Sequence, residues 1–209
     1  MRIGVKAEYD SAKVVMLHRP DKEMGFLKYG TKEFLFQKDV NINKLYQEFA
    51  DLEYILKKNN ITVYTLKDLL REHKGLKDYV KKRSSLEINE YEKQFEYALL
   101  NPKCSYEGII SFSPLINLIF IRDLFITTDH NIILMNPKNS IRKQEIPLIK
   151  MGFEALGINY IQPKYYAWDS IEGGDFIPYN NVAFFGVSQR TTLQTITWLL
   201  SHYYDSLLI

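Results

Sequence analysis

Asp175-Phe176-Ile177-Pro178-Tyr179-Asn180-Asn181-Val182-Ala183-Phe184-Phe185 sets two short runs of apolar and aromatic residues on either side of an Asn-Asn pair. The pattern predicts a strand over Asp175 to Tyr179, a turn, and a strand over Val182 to Phe185. A helical pattern begins after Arg190. The same plan stands earlier in the chain. Phe120 to Thr127 and Asn131 to Leu134 flank the turn residues Asp129-His130-Asn131, and a helical pattern begins near Arg142. Each segment has an acid at the start of its hairpin, Asp123 or Asp175, and an arginine near the start of its helix, Arg142 or Arg190. Two copies of one plan point to an internal structural repeat.

Toward the N-terminus, Ala12 to Leu17 is an apolar run closed by His18-Arg19-Pro20, which predicts a buried strand central in a sheet. Ile42, Leu45, Tyr46, Phe49, Leu52 and Leu56 recur at helical spacing and predict an amphipathic helix. Ile61 to Leu66 then reads as a β-branched strand, so strand, helix and strand follow one another in α/β fashion. Lys67 to about Leu100 is charged and helix-favouring, with Leu86, Tyr91, Phe95 and Leu99 as a partial apolar stripe. A small helical insertion over about 67–113, within a single domain of 1–209, is the expected organisation.

A chain of 209 residues, 46% hydrophobic and 25% charged, is long enough to bury one good-sized core. Its 27 basic and 25 acidic residues are too evenly balanced to point to nucleic acid or an anionic membrane as a partner. One cysteine, Cys104, excludes an intramolecular disulfide framework and a cysteine-built zinc site, and fits a reducing compartment, with the cytoplasm as the expected location. No run of about 18 apolar residues occurs.

Three places carry charge that the fold does not require. Pro114 to Phe125 is strongly apolar yet contains Asn117, Arg122 and Asp123, and a buried ionised carboxylate costs on the order of several kcal/mol unless it is paired. Either these charges are solvated or paired at a strand end, or the carboxylate is aimed at a cationic ligand. In Ser170-Ile171-Glu172-Gly173-Gly174-Asp175, two glycines let the backbone take positive φ or approach a neighbour closely, holding Glu172 and Asp175 around a tight bend. The alternative is an ordinary Gly-Gly loop. Arg142 and Arg190, the latter just before the candidate N-cap Thr191, stand where a cation opposes the helix dipole. They are either surface arginines or an anion-binding pair. Two acids and two arginines together suit a zwitterionic ligand with a cationic tail.

Four motifs taken together resemble the arginine deiminase family, within the wider guanidino-group-modifying superfamily. They are Asn117-Leu118-Ile119-Phe120-Ile121-Arg122-Asp123, Arg142-Lys143-Gln144-Glu145, Ile171-Glu172-Gly173-Gly174-Asp175 and Gly186-Val187-Ser188-Gln189-Arg190-Thr191. Their order and spacing agree, and Glu8 to Pro20 resembles the family's first strand, so the likeness spans nearly the whole chain. The resemblance implies an α/β fold, a partial five-bladed propeller of pentein-like ββαβ modules. It implies hydrolysis of arginine to citrulline and ammonia: a cysteine thiolate attacks the guanidinium carbon, and a histidine serves as acid and base. It implies that Asp123 binds the guanidinium, that Glu172 supports it and the histidine, that Arg142 and Arg190 bind the α-carboxylate with Asn117 helping, and that Phe120 lines the pocket. No cofactor and no metal is implied.

The family's His-x-Asp motif and nucleophilic cysteine follow the motif matched at Arg190. Here no cysteine follows Asp123, and His18, His73, His130 and His202 stand in no His-x-Asp context. The expectation is therefore an incomplete, truncated deiminase domain, inactive by itself. Its expected partners are L-arginine, a separate chain supplying the remaining half, and a second copy of itself. Self-association is expected from the apolar stretch Leu193, Ile196, Trp198, Leu199, Leu200, Tyr203, Tyr204, Leu207, Leu208 and Ile209. The alternatives are a non-catalytic arginine-binding module, or another deiminase or amidinotransferase of the superfamily. Of these, an agmatine deiminase is disfavoured by two carboxylate-binding arginines.

Overall fold

The computed structural model describes residues 4–29, 34, 36–71, 73–180, 182–203 and 207–208. It divides into two compact units. One gathers the described residues of Ala12–Ile119 with Pro147–Ala155, the other those of Met1–Ser11, Phe120–Ile146 and Leu156–Ile209.

In the first unit, Val14–Leu17 pairs in parallel with Thr62–Thr65, and the helix Ile42–Lys58 connects them. Asn41 starts that helix, its side chain accepting from the Lys44 N–H, which satisfies one of the orphan donors of a first turn. The expected strand is found, but it is not central: among the described residues it has one neighbour, and Val14 is 41% exposed. The helix, too, is where the spacing puts it, while its expected apolar stripe is only partly covered. Ile42 and Leu45 pack against the core of Met24, Leu27, Phe34 and Ile116, whereas Tyr46 and Leu52 are exposed. Its buried residue is instead Glu53, held by Arg19 and Lys57, each at 2.6 Å.

Thr65 ends the second strand one residue earlier than its β-branched run suggests, because its hydroxyl caps the helix Leu66–Leu70. Within 67–113 the helices Lys74–Ser84 and Tyr91–Leu100 end on the left-handed residues Ser85 and Asn101. A hairpin, Pro102–Cys104 against Ile110–Phe112, follows them. A three-residue strand is too short to leave a period in the sequence, so the purely helical reading missed it.

In the second unit both expected hairpins form. Phe125–Thr127 pairs antiparallel with Ile132–Leu134, and Phe176–Tyr179 with Val182–Phe185. Asn180 supplies a positive φ at the second turn, while Asn181 lies outside the described residues. Their inward faces share one core of Ile126, Ile133, Met135, Ile171, Phe176 and Ala183, closed by Ile196, Leu199 and Leu200 of the helix Leu193–Tyr203. Much of the apolar stretch expected to need a partner is thus buried within its own unit, with Trp198 packed against that core. Leu193 is exposed. Tyr204 and Ile209 lie outside the described residues, as do the side chains of Tyr203, Leu207 and Leu208.

One expected strand is corrected. Ile116–Leu124 is a 3-10 segment broken at Phe120, so the strand begins only at Phe125. A largely apolar run whose two charges are adjacent shows no alternation to distinguish strand from buried helix. Leu115, Leu118, Ile121 and Leu124, all at most 6% exposed, do recur every third residue, the repeat of a 3-10 helix. Among the described residues, no helix is long and apolar enough to cross a membrane.

Candidate functional site

The site is built around a buried arginine. Asn139 starts the short helix Ser140–Lys143 by accepting from the Ile141 N–H, and the turn carries Arg142 inward until its side chain is 2% exposed. Its guanidinium meets three acceptors. Nε donates to Glu145 Oε2 at 3.0 Å, Nη1 to Asp123 Oδ2 at 2.5 Å, and Nη2 to the Phe120 carbonyl at 3.0 Å. Burial opposes its charge, but Glu145 and Asp123 outweigh burial and raise its pKa. A cation this deep is stable only because the planar fork is satisfied on three sides.

The second group comes from the Gly-Gly bend. Neither Gly173 nor Gly174 has a positive φ, so their role is close approach. A Cβ on Gly173 would run into the carbonyl oxygens of Arg122 and Phe125, and one on Gly174 into Asp123 Oδ1. This contact seats the bend directly on Asp123. Glu172, with a side chain 3% exposed, is approached by Arg190 Nη1 at 2.9 Å from Oε2, an ion pair without the alignment of a hydrogen bond. Burial raises the Glu172 pKa; Arg190 and Arg142 oppose the rise, and Asp123 and Asp175 add to it.

Thr191 ties this bend to the chain around Arg190. Its hydroxyl accepts from the Glu172 N–H at 3.0 Å and donates to Asp175 Oδ2 at 2.5 Å. The helix cap expected there is Thr192 instead, whose hydroxyl accepts from the Thr195 N–H. Thr191→Val should strand the buried Glu172 N–H, at a cost of about 1–3 kcal/mol, and remove a donor from the half-buried Asp175 at a smaller one. Thermal melting of the variant checks this, and an unchanged melt would remove Thr191 from the support of the bend.

Of the six residues singled out in the sequence, the structure brings Asp123, Arg142, Glu172 and Arg190 into one unit, with Phe120, an exposed residue, contributing its carbonyl. Asn117 belongs to the other unit, where its side-chain amide donates to the Phe34 carbonyl at 3.0 Å. Arg122 is a structural residue, paired with Glu8 through both Nη atoms and donating to the Phe176 carbonyl. Glu145 was overlooked as a site residue. It is 0% exposed, three residues after Arg142, and burial pushes its carboxyl up to about 8, with Arg142 opposing the rise and Asp123 and Glu172 adding to it. Its signal in the sequence was the i, i+3 spacing from an arginine. Among the described residues, no group of three or more His, Cys, Asp or Glu is placed to hold a metal ion. Cys104 is exposed, in the other unit.

The family model for arginine deiminase matches residues 99–206, half of the chain, and takes in every one of these site residues. The chain belongs to the arginine deiminase family. Curated relatives agree with this. The arginine deiminase of Metamycoplasma arthritidis (strain 158L3-1) is 26% identical over 231 residues, covering 94% of this chain and 56% of that protein. That of Treponema denticola is 27% identical over 253 residues, covering 98% and 60%. The chain thus spans rather more than half the length of the arginine deiminases it matches. Two solved structures share the fold. A dimethylarginine dimethylaminohydrolase, in an adduct with 4-chloro-2-hydroxymethylpyridine, has a TM-score of 0.53 at 14% identity, over 95% of this chain and 60% of that one. SxtG, an amidinotransferase from Microseira wollei in the saxitoxin biosynthetic pathway, has a TM-score of 0.56 at 13% identity, over 99% and 64%. The α/β architecture with small sheets is therefore the pentein fold of guanidino-modifying enzymes.

Proposed function

We propose that the cluster of Asp123, Glu172, Arg142 and Arg190 is the substrate grip of an arginine deiminase-type site, with L-arginine as its ligand. The observation that carries this is the surplus of acceptor charge. Asp123, Glu172 and Asp175 are gathered against two arginines in one unit, and a guanidinium ion is the cation whose planar donors match paired carboxylates. Asp123 and Glu172 are the acceptors for the ligand's guanidinium. Arg190, 56% exposed at its side chain, is left to meet the ligand's carboxylate.

We assign Arg142 a different role from the one the resemblance implies. With Nε, Nη1 and Nη2 each on a protein acceptor, it acts as a positioning residue that fixes Asp123 rather than as a second clamp on the carboxylate. A single exposed arginine supports a preference for arginine over agmatine of roughly tenfold, the scale of one charge-assisted hydrogen bond.

The site residues neutralise and orient a guanidinium and include no thiolate to attack its carbon, and the one cysteine of the chain, Cys104, precedes Asn117 instead of following the Arg190 motif as the family's nucleophile does. That favours binding without turnover by these 209 residues. In calorimetry L-arginine should bind, Asp123→Asn should weaken it at least tenfold, and a citrulline assay should give no product. Failure of L-arginine to bind would sink the substrate-grip reading. Citrulline formation abolished by Cys104→Ala would overturn the assignment of chemistry.

A further inference from the structure

Glu145 is a fully buried carboxyl with one oxygen used and one not. Oε2 accepts from Arg142 Nε, while Oε1 has no hydrogen-bond partner among the described residues. A buried carboxylate spreads its charge over both oxygens, so an unpartnered Oε1 is costly when Glu145 is ionised and far less so when that oxygen carries a proton. The charges facing Glu145 act in the same direction. Asp123 faces it from the Ile116–Leu124 segment and Glu172 from the Gly-Gly bend, with Asp175 next to Glu172; Arg142 and Arg190 are the two cations. Arg142 is already matched by Asp123, and Arg190 by Glu172. Asp175 already leaves the cluster one negative charge in excess, and an ionised Glu145 would add to it.

A guanidinium ion arriving at Asp123 and Glu172 would supply the missing positive charge. Resting on the substrate-grip reading above, we infer that Glu145 stores a proton in the empty cluster and releases it to solvent when a guanidinium ligand binds. The exchange balances: one cation enters, the Oε1–H bond breaks, the proton passes to the buffer, and Glu145 completes a full ion pair with Arg142. Burial pushes the Glu145 carboxyl up to about 8 in the empty cluster, so it holds its proton at neutral pH. The added cation lowers the pKa by the same Coulombic interaction that relates any paired acid to its partner. Linkage then fixes the sign: binding that releases a proton tightens as pH rises toward the pKa of the empty cluster, by at most about tenfold per pH unit, and levels off above it.

The test is titration calorimetry of the whole 209-residue chain with L-arginine near pH 7, in two buffers of different ionisation enthalpy, joined to carbon-13 NMR of its glutamate carboxyls without ligand. The expected result is release of between about half and one proton per arginine bound, and affinity that rises several-fold from pH 6 to pH 7. Glu145→Gln keeps an acceptor for Arg142 Nε; it should abolish both the proton release and the pH dependence. In the ligand-free spectra one carboxyl should titrate near 8 and be missing in the variant. Arginine binding with no proton released, or the same release from Glu145→Gln, overturns the inference. If L-arginine does not bind, the substrate-grip reading fails and the linkage with it. The NMR titration then separately decides the stored proton, which is refuted if every glutamate carboxyl titrates in the ordinary range.

Discussion

Arg142→Met is expected to cost the protein about 3–5 kcal/mol, the usual scale for removing one member of a buried ion pair. Methionine replaces the volume of the side chain and none of its function. Asp123 Oδ2, Glu145 Oε2 and the Phe120 carbonyl each lose the donor that now satisfies them. Arg142→Lys should recover only part of the loss, because one ammonium cannot reproduce a planar fork that reaches three acceptors in different directions. Urea denaturation near pH 7 measures both. A loss below about 1 kcal/mol at neutral pH would mean that this cluster does not hold the unit together.

The two hairpins were legible because aromatic and β-branched runs broken by Asn and Asp leave a period and a turn signal. Phe176–Tyr179 and Val182–Phe185 fall where the sequence puts them. Phe120 to Leu124 is not legible as helix because five residues with the two charges adjacent are too few to show a period. For Val14–Leu17 the run revealed the strand but not its neighbours, which depend on distant residues.

The candidate site divides in the same way. The residue types at Asp123, Arg142, Glu172 and Arg190 could be singled out, since unneeded charge in apolar surroundings is visible in one dimension. Their pairing could not. Arg142 was placed by a dipole argument at a helix start, yet its helix is four residues long and the side chain turns away from solvent onto Asp123 and Glu145. Asn117 shares a motif with Asp123 but packs in the other unit, on Phe34.

Gly173→Ala and Gly174→Ala should separate support of the fold from support of the site, although the two positions are adjacent and chemically identical. A Cβ at 173 meets two backbone oxygens, those of Arg122 and Phe125. Neither can swing aside: Arg122 precedes Asp123, and Phe125 opens a strand paired with Leu134. Overpacking against side chains typically costs about 1–3 kcal/mol, and opposing backbone should put Gly173→Ala at or above the top of that range. At 174 the obstacle is a side-chain oxygen, Asp123 Oδ1. The carboxylate can rotate, so the fold should survive with a smaller loss, but Oδ2 is held by Arg142 Nη1 at 2.5 Å. Rotation therefore breaks either that bond or the orientation that Asp123 offers a ligand. Gly174→Ala should melt close to the wild type and bind L-arginine at least tenfold more weakly, whereas Gly173→Ala should show its effect in the melt. If the two variants lose stability equally and bind equally, the bend does not seat Asp123, and the charge surplus at the cluster is not held in a shape that a guanidinium can use.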